Sequence, residues 1–197
     1  MKLKEFRTKM KKSLFTTAEA QIVAFAFDPK LVNLQLHQWK NAGDIVSLKR
    51  GLYFFSDAKP DAQKIAPHLY APCYFSLEYV LSIHGIIPEA VFSYTLVTPK
   101  ATREFTTPLG TFAYRTIKKE AFTGFDRKTL MAEKEKALVD YFYLNKKLLK
   151  DDAAFWAESR LNGHSLNYSK IFRFAKLFQS KKLISLLTHF HAYVQAN

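Results

Sequence analysis

Side chains that could read a nucleic acid gather between positions 30 and 41. Lys30, Asn33, Leu34, His37, Gln38 and Asn41 fall within PKLVNLQLHQWKN. On a helix turning about 100° per residue they share one side, opposite Val32, Leu36 and Trp39. Amide side chains presented this way match the donor and acceptor pattern of base edges in a major groove. Lys49 and Arg50 stand before Gly51, between the apolar runs IVSL and LYFF. That arrangement places both cations at a hairpin tip, where they would meet phosphate. Lys9, Lys11 and Lys12 add further cations that would attract phosphate without regard to sequence. The same residue types also suit an ordinary solvated helix, and Leu34 fits a protein contact better than a base edge.

Catalytic constellations are not found. Glu133 and Asp140 lie three and four positions from Lys136 in MAEKEKALVDYFYL, a spacing that favours ion pairs along a helix. Glu135 and Asp140 diverge by about 140° on the same helix and do not form an acid–base pair. His189 and His191 are two apart and point away from each other, unlike the i, i+4 histidines of a metal site. His84, before Gly85, suits a helix C-terminus. Cys73 sits in the apolar, aromatic stretch LYAPCYF and reads as a buried thiol. The glycines at 43, 51, 85, 110, 124 and 163 are isolated, so no phosphate loop exists. No catalytic residue, metal or cofactor is therefore expected.

The elements that must position the reading residues follow from local chemistry. MKLKEFRTKMKK predicts a basic helix with Leu3, Phe6 and Met10 on one face. Thr16 or Thr17 is placed to cap a second helix through TTAEAQIVAF, with Glu19 near its positive end. Asp28 caps a third, with Pro29 at its first position, and this helix runs to about Ala42 before Gly43. Ile45 to Phe55 then predict a two-stranded hairpin. Three helices and a hairpin make a winged helix-turn-helix, assigned to residues 1–57.

Residues 58–197 predict a mixed α/β domain with a C-terminal helical part, so the fold class is α+β. DAQKIAPHLY and SLEYVLSIHG predict short helices, the second capped by Ser76. SYTLVT, REFTT and TFAYRTI predict strands, the last two joined as a hairpin through TTPLGT. From about Thr129 helices follow through MAEKEKALVDYFYL, DDAAFWAESRL, SKIFRFAKLFQ and KKLISLLTHFHAYV. The eighteen Phe and ten Tyr mostly fall on core periods, so stacking on single strands is the weaker reading.

Thirty Lys and Arg face seventeen Asp and Glu, a formal charge of +13, which suits a polyanionic partner. The excess is +6 in residues 1–55, +2 in 56–128 and +5 in 129–197. The basic helices of 167–195, with Lys170, Arg173, Lys176, Lys181 and Lys182, suit DNA, RNA or solvent equally. One cysteine allows no internal disulfide, and no apolar run is long enough to span a membrane. A reducing cytoplasm is the expected compartment.

Several stretches, taken in order, resemble the AbiEi-type antitoxins, the regulator half of bacterial AbiE abortive-infection systems. LKRGLYFF is similar to that family's wing. LYAPCYFSLEYVLSIHGIIPEAV resembles its helix-and-proline segment, with Pro72, Tyr74, Ser76, Leu77, Leu81, Gly85, Ile87 and Pro88 in register. YTLVTPKATREFTTPLGTFAYRTI resembles its threonine, arginine and glycine hairpin, and EKALVD its helical signature. The resemblance covers most of residues 14–145. It implies a DNA-binding repressor of its own operon that binds operator repeats near the promoter. It further implies the antitoxin role of a type IV toxin–antitoxin system in antiviral defence, opposing a nucleotidyltransferase-like toxin without a stable complex. The alternative is a protein-interaction module that inhibits a partner enzyme, with the winged domain structural.

Overall fold

The computed structural model describes residues 1–150 and 152–197. The chain is α+β, and it divides into two compact units. One comprises Met1–Leu69 with Thr107–Leu109, the other Tyr70–Thr106 with Gly110–Asn197.

The first unit begins with helix α1 (Leu3–Met10) and strand β1 (Leu14–Thr16). Helices α2 (Thr17–Val23) and α3 (Pro29–Asn41) follow, then strands β2 (Ile45–Lys49) and β3 (Leu52–Phe55), then helix α4 (Ala62–Leu69). Local chemistry sets most of these boundaries. Thr16 accepts from the Glu19 backbone N–H, and the Glu19 carboxylate accepts from the Thr16 N–H at 2.7 Å, a reciprocal capping box. Asp28 accepts from the Lys30 N–H at 2.6 Å, with Pro29 opening the helix. Gly43, at φ 80°, takes the left-handed turn after α3 that L side chains resist.

Strand β1 is an addition to the pattern expected from sequence. It pairs antiparallel with β3, giving a three-stranded sheet of order β1-β3-β2. Three residues hold a strand here because Phe15 is fully buried against Phe6 and Phe55, with ring centroids 5.4 and 5.2 Å away. Trp39 reaches the same cluster from α3, its ring 5.0 Å from that of Phe6. Each such aromatic contributes about 1.5–3 kcal/mol through burial. Helix α4 belongs to this unit and lies beyond the 1–57 segment expected for the winged helix.

The second unit holds a four-stranded sheet of order β4-β5-β7-β6. Its strands are β4 (Tyr74–Phe75), β5 (Tyr94–Thr98), β6 (Arg103–Thr107) and β7 (Gly110–Thr116). β5 and β7 run parallel with β6 outside them, so β7 inserts beside β5 while β6 takes the edge. Helix α5 (Leu77–Ile83) follows β4, and α6 (Lys134–Asn145), α7 (Ala153–Ser159), α8 (Tyr168–Lys176) and α9 (Lys181–Ala196) close the chain. The helix expected from about Thr129 starts later, at Lys134. Residues just before it are extended instead: the Phe75 N–H donates to the Leu130 carbonyl and the Ala132 N–H to the Phe75 carbonyl. Among the described residues no helix is long and apolar enough to cross a membrane.

Candidate nucleic-acid interface

Helix α3 is about 20 Å long at 1.5 Å per residue. Val32, Leu36 and Trp39 are buried and fix its inner side, while Lys30, Asn33, Leu34, His37, Gln38 and Asn41 are all exposed. Their polar contacts are local: Gln21 Nε2 donates to Asn33 Oδ1 at 3.3 Å, and Gln35 Nε2 to Gln38 Oε1 at 3.2 Å. Asn41 Nδ2 donates to His37 Nε2 at 3.0 Å. Surface bonds of this kind exchange readily for water or for a ligand.

The outward side of α3 is chemically split. By helical angle Asn33, Lys30, His37 and Asn41 occupy one flank, and Leu31, Leu34, Gln35 and Gln38 the other. The second flank borders a groove of about 250 Å³ that Phe6, Ala24, Phe27, Leu31, Leu34 and Gln38 help to line. Leu31 and Leu34 are 57% and 54% exposed. Gln38 thus sits with the apolar residues, away from Asn33.

The hairpin separates the two cations that adjoin in sequence. Strands β2 and β3 pair up to Lys49 and Leu52, with an irregularity between Ser47 and Lys49. Arg50 stands exposed in the turn, with no ion-pair or hydrogen-bond partner among the described residues. Gly51 follows at φ 78°. Lys49 is half-buried, and its ammonium donates to the Leu69 carbonyl at 2.7 Å. That bond satisfies a carbonyl at the end of α4, which proline-containing AQKIAPHL leaves without a following turn. Of the N-terminal lysines, Lys9 pairs with Glu5 at 2.8 Å and Lys12 with Glu19, while Lys11 is exposed at the left-handed end of α1. Exposed pairs of this sort hold their cations weakly.

Elsewhere, Glu133, Glu135, Lys136 and Asp140 are engaged in contacts within the chain. Lys136 and Asp140 form an ion pair in which both side chains are 0% exposed. Tyr74 and Ser76 donate their hydroxyl protons to Asp140 Oδ2 at 2.9 and 2.8 Å, and the Lys136 ammonium donates to the Tyr74 hydroxyl at 2.8 Å. Burial pushes the Asp140 carboxyl up and the Lys136 ammonium down, and their mutual attraction opposes both shifts. Glu133 pairs with Lys170 at 2.6 Å, so the expected Glu133–Lys136 pair gives way to a longer-range one. The Ser76 hydroxyl serves Asp140 and makes no cap bond to α5. Glu135, buried, accepts from the Asn167 N–H at 3.1 Å. His191 stacks on Tyr168 with centroids 3.8 Å apart. Cys73 is buried, and burial pushes its thiol up to about 12. Among the described residues no group of three or more His, Cys, Asp or Glu is placed to hold a metal ion.

Two features escaped the sequence. Tyr74 and Ser76 join Lys136 and Asp140 across more than sixty positions, and the only local sign was a charged i, i+4 pair inside an apolar helix. The exposed apolar residues Ile22, Phe25, Phe27 and Leu31 had a clearer sign, because FAFDPKL crowds apolar residues around a helix start where few can turn inward. No protein-family model matches the chain, and no curated protein matches it.

Proposed function

We propose that the chain is a sequence-specific double-stranded DNA-binding repressor of the AbiEi antitoxin type, with a winged helix-turn-helix in its first unit. One observation carries this reading: the exposed amide and cationic flank of α3, on a unit whose basic residues exceed its acidic ones. In this reading α3 enters the major groove and Asn33, His37 and Asn41 meet base edges. Arg50, at the hairpin tip, meets phosphate. Lys49 serves the hairpin's own anchorage rather than the ligand, because its ammonium is engaged by Leu69. Strand β1 supports the winged-helix reading, since it supplies the third strand beside the hairpin.

The remainder rests on the resemblance in residues 14–145. The protein represses its own operon at operator repeats, acts in the cytoplasm as the antitoxin of a type IV system, and opposes a nucleotidyltransferase-like toxin without a stable complex. It is not an enzyme. The test compares variants on specific and scrambled duplexes. Arg50→Ala weakens binding to both, whereas Asn33→Ala erodes mainly the preference between them. Unchanged affinity in both variants would remove α3 and the hairpin from the interface.

The exposed groove flank of α3 favours a second reading, a module that inhibits a partner enzyme through apolar contacts. It calls for co-purification with a partner at high salt, where phosphate contacts have weakened.

A further inference from the structure

We infer that Gln21 is a positioning residue for base reading: it holds the Asn33 amide so that Nδ2, rather than Oδ1, faces the duplex. This role rests on the DNA reading of α3 and adds to it the residue that decides what Asn33 can recognise. Gln21 Nε2 donates to Asn33 Oδ1 at 3.3 Å. Among the described residues this is the one side-chain hydrogen bond that joins α2 to α3. Packing brings the two amides together. Ala20 and Ala24 are buried at α2 and its end, and Val32 and Leu36 on α3. Gln21 follows Ala20 and Asn33 follows Val32, so both stand at the border of the contact between the helices. Gln21 is half-buried there, whereas Asn33 is exposed.

An unheld asparagine amide can turn over and show a base either a donor or an acceptor. With Oδ1 engaged by Gln21, the atom left for the base is Nδ2, a donor. Water competes for that bond in the free chain. A docked duplex expels the water, and in the drier interface the amide pair is the stronger contact. A donor finds partners on guanine, whose major-groove edge offers N7 and O6, and none on cytosine, which offers only its N4 amino group. Asn33 is thus expected to favour guanine over cytosine at the base it meets. Asn41 is held separately, since its Nδ2 donates to His37 Nε2 at 3.0 Å, and it serves as an internal control.

The experiment is selection of binding sites by the full chain from a randomised duplex pool, followed by sequencing. The wild type is compared with Gln21→Ala, Gln21→Glu, Asn33→Ala and the double Gln21→Ala, Asn33→Ala chain. Asn33→Ala flattens one base position and so identifies the base that Asn33 meets. Gln21→Ala is expected to weaken the preference for guanine over cytosine at that position by about fivefold or more. The double variant should match Asn33→Ala alone, because the two residues act as one unit. Glutamate accepts and does not donate, so in Gln21→Glu the Asn33 Nδ2 turns to it and Oδ1 faces the base. Cytosine then overtakes guanine at that position, while the positions read by other residues, Asn41 included, keep their order. The added charge lowers affinity for all sequences alike, so the order of bases is the readout, with circular dichroism unchanged. A position flattened by Asn33→Ala but left as in wild type by both Gln21 variants would overturn this role alone. So would a Gln21→Ala loss that adds to that of Asn33→Ala, which would make Gln21 a direct contact. If Asn33→Ala flattens nothing, the DNA reading of α3 falls and the role of Gln21 falls with it.

Discussion

At the scale of single residues, Lys136 and Asp140 make the sharpest demands. Both are fully buried, and Asp140 accepts from Tyr74 and Ser76 as well as from Lys136. Lys136→Met leaves a carboxylate buried without its cation, at a cost of about 3–5 kcal/mol. Adding Asp140→Leu should return part of that loss, the remainder reflecting the buried Tyr74 and Ser76 hydroxyls that lose their acceptor, and urea unfolding of the single and double variants measures both. The pH dependence has a defined sign. Burial raises the folded-state pKa of Asp140 above its unfolded value. The stability gained from its proton is therefore complete below the ordinary carboxylate range and is lost as pH rises through the raised value. Removing the Lys136 charge lifts that window further. Relative to wild type, the Lys136→Met deficit should shrink between neutral and mildly acidic pH, and a deficit that grows would contradict this account.

Cys73 gives a simpler residue-scale expectation. With its thiol pushed up to about 12 and its side chain buried, it should resist iodoacetamide in the native chain and react fully only in denaturant. Rapid native alkylation would show that LYAPCYF opens more readily than its packing implies.

At the scale of elements, local chemistry was legible and distant pairing was not. Thr16 with Glu19, Asp28 with Pro29, and the inward Val32, Leu36 and Trp39 all follow from contacts within one or two turns. Strand β1 did not, because three residues have too little pattern of their own and form a strand only against β3, some forty positions later. The Lys49 bond to the Leu69 carbonyl is equally invisible in sequence, since the two lie twenty positions apart. Asp28→Ala should cost about 1 kcal/mol of stability through the lost cap. Gly51→Ala should cost about 1–2 kcal/mol, because φ 78° there is left-handed. Thermal unfolding reads both. Indifference to Gly51→Ala would mean that the turn relaxes to another form and that Arg50 is not held at a fixed place.

At the scale of the whole molecule, the charge of +13 was legible from composition, yet its deployment was not. Lys9, Lys12 and Lys170 pair with Glu5, Glu19 and Glu133 at the surface, and Lys49 donates to the Leu69 carbonyl, partners that the charge count does not disclose. What composition hid most completely is the neutral apolar segment around Phe25 within so basic a chain.

The most direct measurement is fluorescence anisotropy of the full chain on the duplex upstream of its own gene and on a scrambled duplex, at several salt concentrations. Tighter binding to the upstream sequence is expected, with log affinity falling by about 0.9 per phosphate contact for each log unit of salt. Arg50→Ala should reduce that slope by about one contact. Equal, weak binding to both duplexes would contradict the central claim and leave the charge as a nonspecific surface.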